Sequence, residues 1–353
     1  MNSIGIWWDR IRNGTSEPQI HLDLNLWAAK QTENNYIEFG FKIKEYAIIN
    51  KLYIFLPFQF SKNDFEDKTR YFFDSQDLSC LLFNQEMTFV GNGSSSYKKI
   101  KYHLADNANS GDFTKADFFY CILNSDWFNF EDIKDNNKVV GTKLSIDINK
   151  IQNKNMDVIY FRFRIKKLIN LYKATGQNNF IIEGLIKKLA LIEINVNSVR
   201  KLPRVIVDEI FTQSIKIHSM NLFIMTNVTT NLIFDSNSKD YVNARRLEYL
   251  WKDYVDKTVD NSHDIANILA YQWKKKDFFS YAMLAKIEYS VIDYYLFSIM
   301  LLGIIVFSMV GSIISGGRLI SIIIHWIFSF FTIFVIAVSF YKIWKAIFRG
   351  RHI

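Results

Sequence analysis

Four side chains in one short segment invite a chemical reading first. In residues 158–166, Tyr160, Arg162, Arg164 and Lys166 recur at every second position, with Ile159, Phe161, Phe163 and Ile165 between them. A β-strand sends successive side chains to opposite faces, so this segment sets three cations and an aromatic ring in one row. Cations spaced two apart beside a ring suit phosphates and stacked bases, as proteins that hold single-stranded nucleic acid use them. Lys98, Lys99 and Lys101, just after the Gly91–Ser96 loop, form a second candidate cluster. Both clusters have an ordinary alternative, a solvated sheet face whose cations pair with acids on neighbouring strands. Neither is a specific motif.

Signatures of catalysis are missing. The sequence has no glycine loop of the phosphate-cradling kind, no His-Glu-x-x-His, no paired Cys-x-x-Cys and no nucleophile elbow. The six histidines are scattered, and His263-Asp264 reads as a helix start. The expectation is a protein that is not an enzyme and carries neither metal nor cofactor. Two cysteines, Cys80 and Cys121, fit a reducing compartment.

A second kind of chemistry is suggested near the C-terminal end. Ser321, His325, Ser329, Thr332 and Ser339 fall, at ~100° per helical residue, within an arc of about 80° on one helix face. Ser308 and Ser312 gather on one side of the preceding apolar segment, with Ser298, Gly311 and Ser315. Small and hydroxylated residues line close helix–helix contacts. They also line water-filled pores, and an ionisable side chain such as His325 inside an apolar span faces a partner or a wet path. Both readings stay open, and a pore requires several copies because two helices enclose no channel.

The elements that would position these residues follow from hydropathy and charge. Tyr294 to Gly317 and Leu319 to Tyr341 are uncharged runs separated by Arg318. Each is long enough to cross a hydrocarbon core of about 30 Å as a helix. Ser315-Gly316-Gly317-Arg318 supplies a tight reversal between them. Lysines and arginines flank the pair at Lys274–Lys276, Lys286, Lys342, Lys345, Arg349 and Arg351, which orients both chain ends to the cytoplasm. Residues 274–353 hold nine Lys+Arg against three Asp+Glu, so most of the net charge of +8 is juxtamembrane, where it serves topology and contact with anionic lipid. The N-terminus has no basic, apolar and small-residue succession of a secretory signal.

From residue 20 to about 170 the hydrophobic period is two. Ile20, Leu22, Leu24 and Leu26 alternate with His21, Asp23 and Asn25, and Ile37, Phe39, Phe41 and Ile43 alternate with Glu38, Gly40 and Lys42. Further strands are predicted at 52–58, 87–90, 97–104, 118–123, 142–148, 158–165, 215–225 and 232–234. Alternation predicts one buried and one wet face, hence an antiparallel sandwich or open barrel. Helical spacing marks Ile4, Trp7, Trp8 and Ile11; Ile181, Leu185, Leu189 and Ile192; and Leu247, Leu250, Trp251 and Tyr254. Ser262 can cap a further helix through Ile265, Ile268 and Leu269. The resulting fold class is α+β: a β-rich, sandwich-like cytoplasmic domain over 1–240, a helical stalk over 241–292 and a two-helix transmembrane hairpin over 293–353.

This layout resembles the membrane effectors of bacterial anti-phage defence, and most of all the channel-type effector of Hailong systems. The resemblance is architectural and rests on the two apolar spans, the missing signal peptide and the absence of enzyme motifs, so it assigns no residue a role. It implies a homo-oligomeric ion channel, a tetramer or larger, that opens on infection and depolarises the bacterial inner membrane. It further implies control by a nucleotide or short single-stranded DNA oligomer, the product of a partner nucleotidyltransferase, bound to the cytoplasmic domain. A different class, a membrane-tethered adaptor whose β-rich domain binds a protein partner, fits the same sequence.

Overall fold

A computed structural model describes residues 3–11, 17–28, 35–91, 96–103, 113–151, 156–166, 172–175, 187–213, 215–235, 238–255, 265–290, 302–306 and 308. Strands dominate. The first half of the chain contributes β1 (Gly5–Arg10), β2 (Gln19–Trp27), β3 (Tyr36–Lys44), β4 (Ile49–Leu56), β5 (Phe65–Asp67), β6 (Met87–Val90), β7 (Tyr97–Tyr102), β8 (Phe118–Cys121), β9 (Phe128–Asp135), β10 (Lys138–Asp147) and β11 (Val158–Ile165). The second half adds β12 (Tyr172–Thr175), β13 (Lys187–Val196), β14 (Ile217–Asn227), β15 (Thr230–Ile233), β16 (Tyr241–Arg246), β17 (Ile268–Phe278) and β18 (Tyr281–Ser290). Among the described residues they are accompanied by the helices α1 (Thr69–Asp74), α2 (Gln76–Phe83) and α3 (Arg204–Thr212).

One large sheet organises the molecule, in the order β16-β17-β14-β2-β3-β11-β8-β7-β6, with β5 paired to the end of β11. Its two faces have different chemistry, because β2, β3 and β11 all alternate apolar and polar residues and pair in register. Phe39 lies opposite both Leu24 and Phe163, and Phe41 opposite both Leu22 and Phe161. These rings stack at 5.3–6.3 Å, and Phe65 carries the packing on to Phe128 and Phe130 of β9. The second sheet, β1-β4-β10-β9, therefore closes one side of a sandwich. Trp7 and Phe55 pack outward from that sheet against Leu202, Ile206 and Ile210, the last two on α3. A third sheet has the order β12-β13-β18-β15.

The opposite face of the large sheet departs from the predicted wet surface. His21, Asp23, Asn25, Glu38, Lys42, Tyr160, Arg162 and Arg164 all lie on it, and all are buried. They are covered by α1, α2 and the turn at Tyr249–Asp253, through a cluster that joins Phe72, Phe73, Leu78, Trp251 and Tyr254 to Tyr160 and Tyr120. Alternation thus reports two buried faces here, one apolar and one polar. Gly40 sits in the middle of the polar face because a Cβ there would collide with the Tyr160 hydroxyl and lie 3.0 Å from Arg162 Nη1.

Three helical expectations are overturned. The described residues of the expected stalk over 241–292 form β16, β17 and β18 with short turns, and the first two strands join the large sheet through β14, so no domain boundary falls at 240; Ser262 lies outside the described residues. Leu247, Trp251 and Tyr254 are buried, but in and beside a single 3₁₀ turn, Tyr249–Asp253, and Ile265–Asn267 is another before β17 begins. Ile4, Trp7 and Trp8 are buried in and beside β1, packing on the protein's own core as an extended segment. Leu189 and Ile192 lie in β13, and Ile181 and Leu185 lie outside the described residues. In each case tertiary pairing overrides a weak helical period.

By contact the chain divides into residues 1–175 with 190–288, and residues 176–189 with 289–353. In the second unit Leu302–Val306 and Ser308 are helical, with Leu302, Ile304 and Val306 exposed. No helix among the described residues is long and apolar enough to cross a membrane. The predicted hairpin lies outside the described residues, apart from 302–306 and 308.

Gly40→Ala tests the close approach that shapes the polar face. The added methyl forces Tyr160 and Arg162 to move, and overpacking of this kind costs about 1–3 kcal/mol. A lower melting temperature with unchanged secondary structure is the expected result in thermal denaturation followed by circular dichroism.

Candidate ligand pocket

The polar face begins with a carboxylate between two guanidiniums. Glu38 accepts from Arg162 Nη2 at 2.8 Å, and from Arg164 Nη2 at 2.7 Å and Nε at 2.9 Å. Tyr254, brought in by its 3₁₀ turn, donates to Glu38 at 2.9 Å and accepts from Arg162 Nε at 2.9 Å. Burial favours the neutral acid, yet the two arginines outweigh it and hold the Glu38 carboxyl down at about 2. Backbone geometry around Arg162 is equally closed. Between the short pairings of β11 with β8 and β5, Thr69 Oγ1 accepts from Arg162 N at 2.9 Å and donates to Arg162 O at 3.1 Å.

The predicted ligand stripe is therefore an internal strut. Tyr160, Arg162 and Arg164 are fully buried and have no surface to offer a phosphate. Lys166 is half exposed and pairs with Glu66 at 3.4 Å. This is the ion-pairing alternative in a dry setting, with acids on β3 and β5 as partners. Lys98 donates to the Phe73 carbonyl and lies 4.4 Å above the rings of Phe73 and Phe89. Lys99 and Lys101 are exposed on β7. None of these lysines meets the arginine stripe. Of the predicted pore residues, Ser308 is helical, and Ser312, Ser321, His325, Ser329, Thr332 and Ser339 lie outside the described residues.

The same polar face continues from the ion triad into an open pocket. Arg162 Nη1 donates to the Tyr160 hydroxyl at 3.2 Å, which donates to Asp23 Oδ2 at 3.4 Å. Asp23 Oδ1 accepts from Asn221 Nδ2 at 3.0 Å and contacts His21 Nε2 at 3.0 Å, while His21 Nδ1 meets the Ser219 hydroxyl. An ionised carboxylate only accepts, so His21 Nε2 carries a proton toward Asp23, and in the neutral imidazole Nδ1 is then the nitrogen that accepts from Ser219. Burial raises the Asp23 pKa, but His21, Arg162 and Asn221 together leave it below the ordinary value.

Register explains why these four meet. β2 and β14 run parallel, with His21 opposite Ser219 and Asp23 opposite Asn221. The pairing starts at Ile20 opposite Ile217, so β14 carries one extra residue, His218, before Ser219. Without that bulge His218 would face His21. Bulges of this kind re-aim a side chain and recur beside functional sites.

His21, Asp23, Ser219 and Asn221 form the floor of a cavity of about 250 Å³. Three cations line it from three segments: Lys115, Arg245 of β16 and Lys274 of β17, which sits opposite Asn221. Lys42 positions the first. Its ammonium, 4.6 Å above the Phe118 ring, holds the carbonyls of Thr114 and Ala116 at 2.7 and 2.8 Å on either side of Lys115. Among the described residues Lys115 and Lys274 have no ion pair, and Arg245 has one long contact to Glu248 at 3.8 Å. Among the described residues Arg245 Nε is buried without a hydrogen-bond partner, and so is Asn25 Oδ1 in an adjoining cleft lined also by Arg245. Among the described residues Asp23 is the one acid lining the pocket, and its charge is already engaged. The site is arranged for an anion above a hydrogen-bonding floor. No group of three or more His, Cys, Asp or Glu among the described residues could hold a metal ion.

Sequence reasoning missed this site. The visible signal was His-x-Asp on one strand and Ser-x-Asn on another, polar pairs at period two inside apolar strands. Their meeting depends on a pairing across almost two hundred residues. Comparison with protein-family models and with curated proteins finds no match to this chain.

Acid tests the ion triad. A carboxyl held near 2 when folded and near 4.5 when unfolded stabilises the fold above pH ~4.5, and that contribution is lost as pH falls toward 2. Glu38→Gln removes the charge and strands two buried guanidiniums, an expected cost of about 3–5 kcal/mol at neutral pH. Urea denaturation from pH 7 to 3 should show the native protein weakening in acid and the variant starting low with a flatter profile.

Proposed function

We propose that this chain is an oligomeric membrane effector of bacterial antiviral defence. Its β-rich domain binds the phosphate of a nucleotide or short DNA oligomer in the pocket above His21, Asp23, Ser219 and Asn221. The supporting observation is the convergence of Lys115, Arg245 and Lys274 on a cavity whose one acid among the described residues is already paired. Such cations attract a phosphate, and the hydrogen-bonding floor orients what it carries. The size is informative. Sites for drug-sized ligands run about 300–1,000 Å³, so a cavity of about 250 Å³ takes one sugar-phosphate or base and leaves the rest of an oligomer outside. On this reading the apolar runs at 294–317 and 319–341 form the membrane hairpin, with Ser321, His325, Ser329, Thr332 and Ser339 along a pore shared by several copies. Ligand occupancy biases the assembly between shut and open arrangements.

The binding test uses purified full-length protein in mild detergent. Its absolute mass and the 260/280 nm absorbance ratio report assembly and co-purified nucleic acid. Short thymidine oligonucleotides are then titrated by fluorescence anisotropy. Arg245→Glu with Lys274→Glu should weaken binding at least about tenfold, as expected when opposed charge is replaced by like charge. Lys99→Glu with Lys101→Glu should leave it unchanged. The opposite pattern would move the ligand to β7 and sink the pocket assignment.

The membrane half has its own test. Ser329→Leu with Thr332→Leu should abolish ion flux in reconstituted vesicles while the oligomer survives. A protein that keeps all function with these leucines uses the hairpin only as an anchor, and is then a membrane-tethered adaptor.

A further inference from the structure

We propose that Ser219 is a nucleophile activated by His21 and Asp23, and that the pocket cleaves a phosphodiester of the nucleotide ligand it binds. The inference rests on the reading of the pocket as a nucleotide site, and adds a reaction to it. Three observations carry it.

The first is connectivity. Ser219, His21 and Asp23 form an unbroken hydrogen-bonded chain of hydroxyl, imidazole and carboxylate. That is the constellation in which an imidazole takes a hydroxyl proton while a carboxylate fixes its tautomer and supports its charge. Here the nitrogens have exchanged places: Nδ1 faces the serine and Nε2 the carboxylate. The chemistry needs only that one nitrogen of the neutral ring accepts, and the carboxylate, by holding the proton on Nε2, makes that nitrogen Nδ1.

The second is support. Asn221 and Tyr160 both hold Asp23, and Arg162 fixes Tyr160 from the ion triad. Each member is nearly enclosed, with Ser219 at 4%, His21 at 5% and Asp23 at 5% exposure, yet all three line the cavity. The β14 bulge, which delivers Ser219 instead of His218, is the device that completes the set.

The third is charge. Arg245, Lys274 and Lys115 line the same cavity. A phosphoryl transition state spreads negative charge over its oxygens, and positioned cations stabilise it.

The step balances without a redox partner. Ser219 Oγ attacks phosphorus as its proton passes to His21 Nδ1. The P–O bond to the leaving alcohol breaks, and that oxygen takes the proton from His21. Water then attacks the serine-linked phosphodiester, giving its proton to the same nitrogen, and Ser219 leaves with that proton. The sum is a diester and water converted to a monoester and an alcohol. A ligand that controls the assembly would thereby be removed by the domain that senses it.

Two measurements on the full-length protein in detergent test this. A fluorophosphonate probe followed by peptide mass spectrometry asks whether Ser219 is activated, and thymidine 5′-(p-nitrophenyl phosphate) reports phosphodiester turnover by absorbance. The expected result is an adduct on Ser219 and measurable turnover. Ser219→Ala should lose both, with turnover down about a thousandfold or more. Asp23→Asn should lower turnover at least about a hundredfold, while Lys99→Glu with Lys101→Glu, outside the pocket, should leave adduct and turnover unchanged. Ser219→Ala removes one buried oxygen and is the variant expected to fold if Asp23→Asn does not. Oligonucleotide binding without adduct or turnover overturns the nucleophile and leaves the ligand reading standing. An adduct without turnover overturns the phosphodiester step. Turnover that depends on Ser219 but not on Arg245 and Lys274 upholds the nucleophile and removes the anion-binding reading.

Discussion

The Glu38 carboxylate is the constraint on which the rest of this fold depends. It is completely buried between Arg162 and Arg164, which are completely buried too. Moving such ions out of water costs several kcal/mol each, returned only when geometry and hydrogen bonding are complete. Two guanidiniums against one carboxylate leave a positive charge over, and Asp23 answers it through Tyr160 and Arg162. Completion then dictates architecture. Tyr254 must dock to finish the hydrogen bonds of Glu38 and Arg162, so the chain at 249–255 must fold over the sheet. Tyr36 lies 3.8 Å from the Arg164 guanidinium, and Thr69 must clip α1 to the backbone of β11. The helices cover this face to satisfy charge as much as to bury apolar surface.

Such a network selects register more surely than it adds stability. A one-residue slip of β11 against β3 would turn Arg162 and Arg164 into the phenylalanine layer and leave Glu38 alone. That penalty singles out the observed pairing, and Gly40 tightens it by admitting only a hydrogen between Tyr160 and the sheet. With β2, β3 and β11 locked, His21 and Asp23 have one position each. The pocket inherits its geometry from the ion triad beside it, and the link is a single hydrogen-bonded path from Arg162 through Tyr160 to Asp23.

This division of labour also explains what the sequence could reveal. Strand positions were legible wherever alternation was strict: Met87–Val90 and Val158–Ile165 have the predicted bounds, and the strands at 97 and 118 start where expected. The fate of the polar alternates was not, because burial depends on what covers a face. The cover comes from 69–83, two short helices with no long apolar period. Arg162 and Arg164 consequently read as a binding stripe when they are a strut. The segment 241–292 misled for a related reason. Leu247, Trp251 and Tyr254 fit helical spacing, yet one 3₁₀ turn with the residues flanking it also presents all three to the core, and β17 and β18 follow with irregular burial. The Ser219 to His21 contact was beyond reach, since a single bulge decides whether serine or His218 arrives there.

The position of the pocket bears on how a ligand could control a membrane assembly. β17 contributes Lys274 to the pocket and runs to Phe278. β18 follows after two residues and ends at Ser290, and the first apolar run begins at Tyr294. About twenty residues, mostly in two strands, thus separate a rim cation from the start of the proposed membrane hairpin. Converting an assembly from 1% to 99% in one state needs a differential affinity of about 10⁴. A single phosphate contact supplies far less than that. Four pockets acting on one concerted equilibrium would each need only about a tenfold preference, the scale of one or two exposed charge contacts. A weak, solvent-facing cation site is therefore sufficient in an oligomer and insufficient in a monomer. The proposed assembly and the proposed ligand site consequently stand on the same energetic requirement.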